Sequence, residues 1–126
     1  MKINTVFAQW IDFTVKQGDT FQFKIDDITE NSVAIDFTTG YTALMQIKEA
    51  LDDTLPVVEV KEILNTNLDQ IVLGDGVIDI YISSTSMSLL VEKKYYFGLQ
   101  LTKTTVTPNV VTTWLEGTMI SKEDIP

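Results

Sequence analysis

The sequence contains no cysteine and no histidine, and all nine of its basic residues are lysine. Without cysteine the chain forms no disulfide, thiolate metal site or cysteine nucleophile. Without histidine the commonest general base is missing, so Ser-His-Asp and Cys-His catalytic arrangements are excluded. A Gly-rich phosphate loop is missing as well, because Gly74-Asp75-Gly76 precedes a predicted strand instead of a helix. We therefore expect a protein that is not an enzyme and that binds no cofactor.

Arginine is absent from a chain that carries 18 acidic residues and a net charge of −9. Arginine is the side chain best suited to phosphate groups, and an acidic chain is repelled by a phosphate backbone. Long hydrophobic runs are also absent, since no apolar segment approaches the roughly 20 residues that a membrane-spanning helix needs. The first residues lack the apolar region of a signal peptide. We expect neither nucleic acid nor a membrane among the partners.

The sequence does contain ample material for a hydrophobic core. Its 126 residues are 44% hydrophobic and 10% aromatic, which predicts one folded domain. No internal repeat, low-complexity tract or linker divides the chain. We therefore predict a single domain over residues 11–126, preceded by residues 1–10 as an N-terminal arm or an edge strand.

The segment from Gly74 to Thr102 organises the rest of the chain. Gly74-Asp75-Gly76 predicts a turn, because glycine and aspartate tolerate positive φ. A strand follows in which Ile78, Ile80 and Ile82 alternate with polar residues, as expected for one buried face. One short helical turn is predicted near residues 84–91. A second strand then places four apolar residues on one face, namely Tyr95, Phe97, Leu99 and Leu101.

Alternation of the same kind recurs along the chain. Ile11 to Lys16 and Thr20 to Ile25 both alternate, and the Gln17-Gly18-Asp19 turn between them predicts a hairpin. Other strands are predicted around residues 33–37, 41–48, 70–73, 110–115 and 118–121, while residues 57–63 fit either a strand or a connector. Gly117 is predicted to be a bulge or a close approach. About eight short strands with turn signals every 8 to 12 residues predict an all-β, antiparallel sandwich or barrel.

Two tryptophans and two nearby apolar residues are the candidates for binding a partner. Val6, Phe7 and Trp10 are large and apolar, so their segment either packs on its own domain or docks on a neighbouring subunit with Trp10 as its anchor. Trp114 is interpreted either as a half-buried core or rim residue or as a contact for a ligand or partner. The tyrosines suggest a carbohydrate platform as a further hypothesis, at Tyr41, Tyr81, Tyr95 and Tyr96.

Acidic residues are the remaining candidates for chemistry. A pair of carboxylates could supply an acid and a base, as in glycosidases, and the possible members are Asp26, Asp27, Asp52, Asp53, Asp75 and Asp79. Asp26, Asp27 and Glu30 also form the best local group of oxygen ligands for Ca²⁺, although they do not match the EF-hand pattern. Aspartates in loops are more commonly turn formers. We therefore predict no catalytic residue and no metal ligand.

Five segments, in order, resemble a family of small phage and prophage virion proteins that includes the N-terminal attachment domain of baseplate upper proteins. The segments are residues 13–21 (FTVKQGDTF), 37–48 (FTTGYTALMQIK), 74–78 (GDGVI), 95–101 (YYFGLQL) and 115–118 (LEGT). The resemblance implies an immunoglobulin-like β-sandwich and carries over no catalytic site.

For function, the resemblance implies an assembly module of the virion, put together in the host cytoplasm. Its partners would be other virion proteins and its own copies in a homo-oligomer. The chain ends at Pro126 without a stalk or a receptor-binding region, which favours a connector, collar, tail, baseplate or head-decorating subunit over host recognition. The alternative is a free-standing β-sandwich that binds carbohydrate or another ligand.

Overall fold

A computed structural model describes residues 8–123 of the chain. Over this range the protein is built from ten strands and one short helix. The elements are β1 (Gln9–Lys16), β2 (Phe21–Ile25), β3 (Thr29–Glu30), β4 (Val33–Ala34), β5 (Tyr41–Lys48), β6 (Val58–Lys61), β7 (Gln70–Gly74), β8 (Val77–Ile82), α1 (Ser84–Met87), β9 (Lys93–Lys103) and β10 (Val110–Lys122).

The strands form two main sheets in a sandwich-like arrangement. One sheet has the order β1-β10-β9-β5-β6 and the other has the order β2-β8-β7. β3 and β4 form a separate hairpin, in which each strand has two residues. The prediction of an all-β sandwich with one short helical turn is confirmed. One detail differs from the antiparallel expectation, because β1 pairs with β10 in parallel.

The predicted hairpin between the first two strands is wrong, although both strands exist. β1 pairs with β10, and β2 pairs with β8 in the other sheet. The intervening turn therefore carries the chain from one sheet to the other. Phe13 of β1 meets Phe21 and Phe23 of β2 across the core, with ring centroids 5.1 and 4.9 Å apart. Alternation showed that each strand buries one face, but it could not show which strand lies beside it.

The core lies between the sheets and follows the predicted alternation closely. All three isoleucines of β8 and the four apolar residues of β9 predicted to face inward are buried. Residues 58–61, left open as strand or connector, form β6. The inward residues of β5 are also buried, namely Ala43, Met45 and Ile47. Period-two apolar patterns were therefore a sound guide to the buried faces of these strands. The strand predicted around residues 33–37 is wrong, because only Val33–Ala34 forms a strand and Val33 is exposed.

The short helix is held at its start by a buried carboxylate. Ser83 caps α1 by accepting a hydrogen bond from the Ser86 backbone N–H. The Asp69 side chain is 1% exposed and accepts from the Ser83 N–H at 2.7 Å, the Ser86 hydroxyl at 2.5 Å and the Asn65 amide at 3.1 Å. Asp69 thus joins the loop between β6 and β7 to the start of α1.

β10 is one continuous strand, and its two irregular points lie close together. The register against β9 shifts between Thr113 and Leu115, so the bulge is at Trp114. At Gly117 a Cβ atom would lie 1.7 Å from the Ile11 carbonyl oxygen. Of the two alternatives predicted for Gly117, close approach of the backbone is therefore the one observed, and it brings β1 tightly against β10.

Candidate functional site

The predicted partner-binding residues fall in different environments. Val6 and Phe7 lie outside the residues that the structure describes. Trp10 belongs to β1 and is 61% exposed. Trp114 is 5% exposed, and its ring packs edge-on against Phe37 with centroids 5.9 Å apart. Trp114 is therefore a core side chain in this chain, and Trp10 is the tryptophan that the fold presents to solvent.

Between residues 8 and 123 there is no group of three or more acidic side chains arranged to hold a metal ion. Asp53 accepts a hydrogen bond from the Ala50 N–H at 3.1 Å, as a turn-forming aspartate does. Within the same range, no helix has the length and hydrophobicity to cross a membrane.

The outer face of the five-stranded sheet, which is the face turned away from the core, brings distant residues into one row. Strand register places Trp10 beside Glu116, Glu116 beside Gly98, Gly98 beside Gln46 and Gln46 beside Glu59. The row crosses all five strands, and its central position has no side chain. A trough therefore runs over Gly98 on an otherwise filled surface.

Neither backbone conformation nor packing requires a glycine at position 98. Its φ is not positive, and a Cβ atom there would have the Leu115 carbonyl oxygen as its nearest neighbour, at 4.0 Å. Glycine inside a strand costs roughly 0.5–1 kcal/mol relative to alanine. A strand glycine of this kind often marks a place where a ligand or another backbone approaches. The glycine at position 98 is therefore explained by the open space that it leaves on the outer face of the sheet.

The trough has a volume of about 210 Å³ and is open to solvent. Its walls combine apolar and amide side chains with one lysine and one acid, and include Trp10, Leu44, Gln46, Lys48, Leu51, Tyr96, Gln100 and Glu116. Leu51 is 74% exposed. A shallow site of this composition suits a broad contact with another molecule better than the full enclosure of a small ligand.

Trp10 is held in a defined orientation although it is exposed. Its indole Nε1–H donates to Asp12 Oδ1 at 3.1 Å, and the Thr118 hydroxyl donates to the same oxygen at 2.5 Å. Both hydrogen bonds lower the pKa of Asp12, because they stabilise the charged carboxylate, and the bond from Thr118 has the larger effect. Asp12 therefore remains ionised at neutral pH and keeps one wall of the trough ordered.

Other contacts order the rest of the trough. The Lys94 ammonium lies 5.4 Å from the centroid of the Tyr96 ring, which is cation–π distance. Gln46 Nε2 donates to Glu59 Oε2 at 3.0 Å. The trough is therefore a surface with preset side chains, and such a surface loses less entropy on binding than a flexible one.

Charge is unevenly distributed between this face and the rest of the chain. Among residues 8–123, strand alternation places five lysines on the outer face, but only three acidic residues. The lysines are Lys16, Lys48, Lys61, Lys94 and Lys122, and the acids are Asp12, Glu59 and Glu116. The face thus has a formal charge of +2 on a chain whose net charge is −9. Sequence reasoning missed this, because these residues come from five strands spread over the whole chain.

A scan against protein-family models finds no family that matches the chain. A search of curated proteins likewise finds no significant match.

Proposed function

We propose that this protein is a bacteriophage virion subunit that acts as an assembly or connector module. It would bind other virion proteins, or its own copies, through the outer face of the five-stranded sheet. The observation that carries the proposal is the row in which exposed Trp10 stands beside a trough over Gly98. Tryptophan is enriched at the energetic centres of protein interfaces, and a side chain that is ordered before binding adds to affinity.

We also propose that the sandwich is of the immunoglobulin type. In that fold, strands G, F, C and C′ lie in one sheet and strands B, E and D in the other, an order matched by β10-β9-β5-β6 and β2-β8-β7. The Tyr95 hydroxyl, near the start of β9, donates to the Val91 carbonyl at 2.9 Å, as in a tyrosine corner. The chain departs from antibody domains because it has no cysteine pair.

Photo-cross-linking in cells that produce the particle tests the proposed function. A photoreactive amino acid replaces Gln46 in the trough, and a matched variant carries it in place of Tyr81, which lies on the outer face of the other sheet and is 37% exposed. We expect position 46, and not position 81, to cross-link to a virion protein or to another copy of the chain. Mass spectrometry of purified particles that never detects the chain would refute the assignment.

A ligand-binding sandwich is the second candidate, and a specific feature of the trough favours it. Trp10 and Tyr96 line the trough together with the amides of Gln46 and Gln100. Aromatic faces and amides are also the groups that bind sugar rings and hydroxyls. Binding on a glycan array that is lost in Trp10→Ala and kept in Trp114→Phe would favour this function, whereas an array with no signal would remove it.

A further inference from the structure

The hairpin formed by β3 and β4, here called the acidic hairpin (residues 29–34), is a tight and well-anchored projection. Its two turn residues, Asn31 and Ser32, have φ values of 53° and 65°, as a two-residue type I′ turn requires. The Ile35 N–H donates to Ile28 O at 3.1 Å. The base is tied to the β7–β8 turn, since the Gly76 N–H donates to Ile35 O at 2.6 Å.

The acidic hairpin combines an exposed apolar side chain with surrounding negative charge. Val33, the residue directly after the turn, is 68% exposed. Lys103 lies beside one side of the hairpin. Exposed acids outnumber it around the hairpin and its base, namely Asp26, Asp27, Glu30, Asp36 and Asp75. Asp36 and Asp75 face each other as a bridge pair. Hydrogen bonds from Thr38 lower the pKa of Asp36, so this carboxyl stays ionised at neutral pH.

The trough has the complementary chemistry. Its floor over Gly98 is open and its walls are partly apolar, and one lysine and one acid line it, namely Lys48 and Glu116. Lys61 and Lys94 stand on the same face, which carries a formal charge of +2, although Lys61 is paired with Glu59 at 3.7 Å. Two copies that met through their outer faces would bring lysines against lysines. An acidic hairpin placed in the trough would instead bring opposite charges together around a buried valine, which favours both correct orientation and rapid association.

The dimensions also fit. The trough spans from β1 to β5, which is three strand spacings, or about 14 Å at about 4.8 Å each. A two-stranded hairpin with its side chains is roughly 10 Å across, about the spacing of packed sheets. No residue that lines the trough belongs to the acidic hairpin. One copy therefore presents both surfaces at once.

We propose that the trough of one copy receives the acidic hairpin of a second copy, so that the chains associate head to tail. The inference rests on the proposed function, because it takes the outer face to be a protein-binding surface and names a second copy of this chain as the partner. Such a contact is heterologous, and it generates a closed ring or an open filament according to the rotation between neighbours.

Charge reversal tests the contact by sedimentation velocity of the full chain over a dilution series. Glu30→Lys and Lys48→Glu should each weaken association about tenfold, and the double variant should regain most of the loss, because it restores the pair with its signs exchanged. Asp19→Lys is the matched control, since it changes net charge as Glu30→Lys does but lies in the β1–β2 turn. Equal weakening by Asp19→Lys would show that only net charge matters and would overturn the proposal.

Disulfide trapping supplies a second readout, because the chain has no cysteine of its own. Val33→Cys protein mixed with Gln100→Cys protein, whose cysteine replaces a side chain that lines the trough, should form a disulfide-linked pair under mild oxidation. Val33→Cys mixed with Val72→Cys should not, since Val72 is 51% exposed on the other sheet. A wild-type chain that stays monomeric at every concentration, with no trapped pair, overturns self-association. Cross-linking of a different virion protein at position 46 would then still support the proposed function.

Discussion

Replacing Gly98 with threonine should make the protein more stable while it abolishes binding in the trough. Gly98 sits in the interior of the central strand β9, where a Cβ atom would have no neighbour closer than 4.0 Å. Threonine would fill the trough with a β-branched side chain that suits a solvent-facing strand position. Stability and binding should therefore change in opposite directions.

The expected gain can be worked out from the backbone. Removing glycine from a strand interior restores roughly 0.5–1 kcal/mol, because the unfolded chain loses conformational freedom. The β-branched side chain adds a fraction of the about 1 kcal/mol spanned by strand propensities. We expect the free energy of unfolding to rise by about 1 kcal/mol and Tm to rise by about 4 °C.

Urea unfolding and the sedimentation assay measure the two effects in the same preparations. Gly117→Ala is the control for a glycine that packing does require, because its Cβ would lie 1.7 Å from the Ile11 carbonyl oxygen. That variant should lose at least about 2 kcal/mol as β1 is displaced from β10. If Gly98→Thr lowered the free energy of unfolding by a similar amount, Gly98 would be a structural glycine and the case for the trough would fail.

Three further predictions test the core, the cap and the ordered wall of the trough. Asp69→Ala should cost about 3 kcal/mol in urea unfolding, because three donors lose a charged acceptor; a loss below 1 kcal/mol would contradict the capping role. Trp114→Ala should lower the free energy of unfolding by roughly 3–5 kcal/mol, whereas Trp10→Ala should lower it by less than about 0.5 kcal/mol. Equal losses would contradict a buried Trp114 and an exposed Trp10. Because the pKa of Asp12 is lowered in the fold, its contribution to stability is present above its ordinary pKa and is lost as pH falls through the folded value. Asp12→Asn should therefore flatten the acid limb of a Tm–pH profile, and an unchanged limb would refute this.

The sequence also left each candidate tryptophan with two interpretations, which only packing could separate. The bulge in β10 turns Trp114 into the core against Phe37. Trp10 projects from the outer face of an edge strand and is tied to Asp12. Bulges and edge positions depend on the neighbouring strand, so neither environment could be predicted from the residues beside each tryptophan.

The sequence by itself determined the class of fold and most of the core. Alternation at Ile78, Ile80 and Ile82 and the turn at Gly74-Asp75-Gly76 are local signals, and local signals survive in any sandwich that buries one face of each strand. Only the tertiary structure decided that β1 and β2 lie in different sheets, that Gly98 opens a trough beside Trp10, and that lysines gather on one face of an acidic chain. Those features depend on which distant strands become neighbours, and strand register is set by the packed core as a whole.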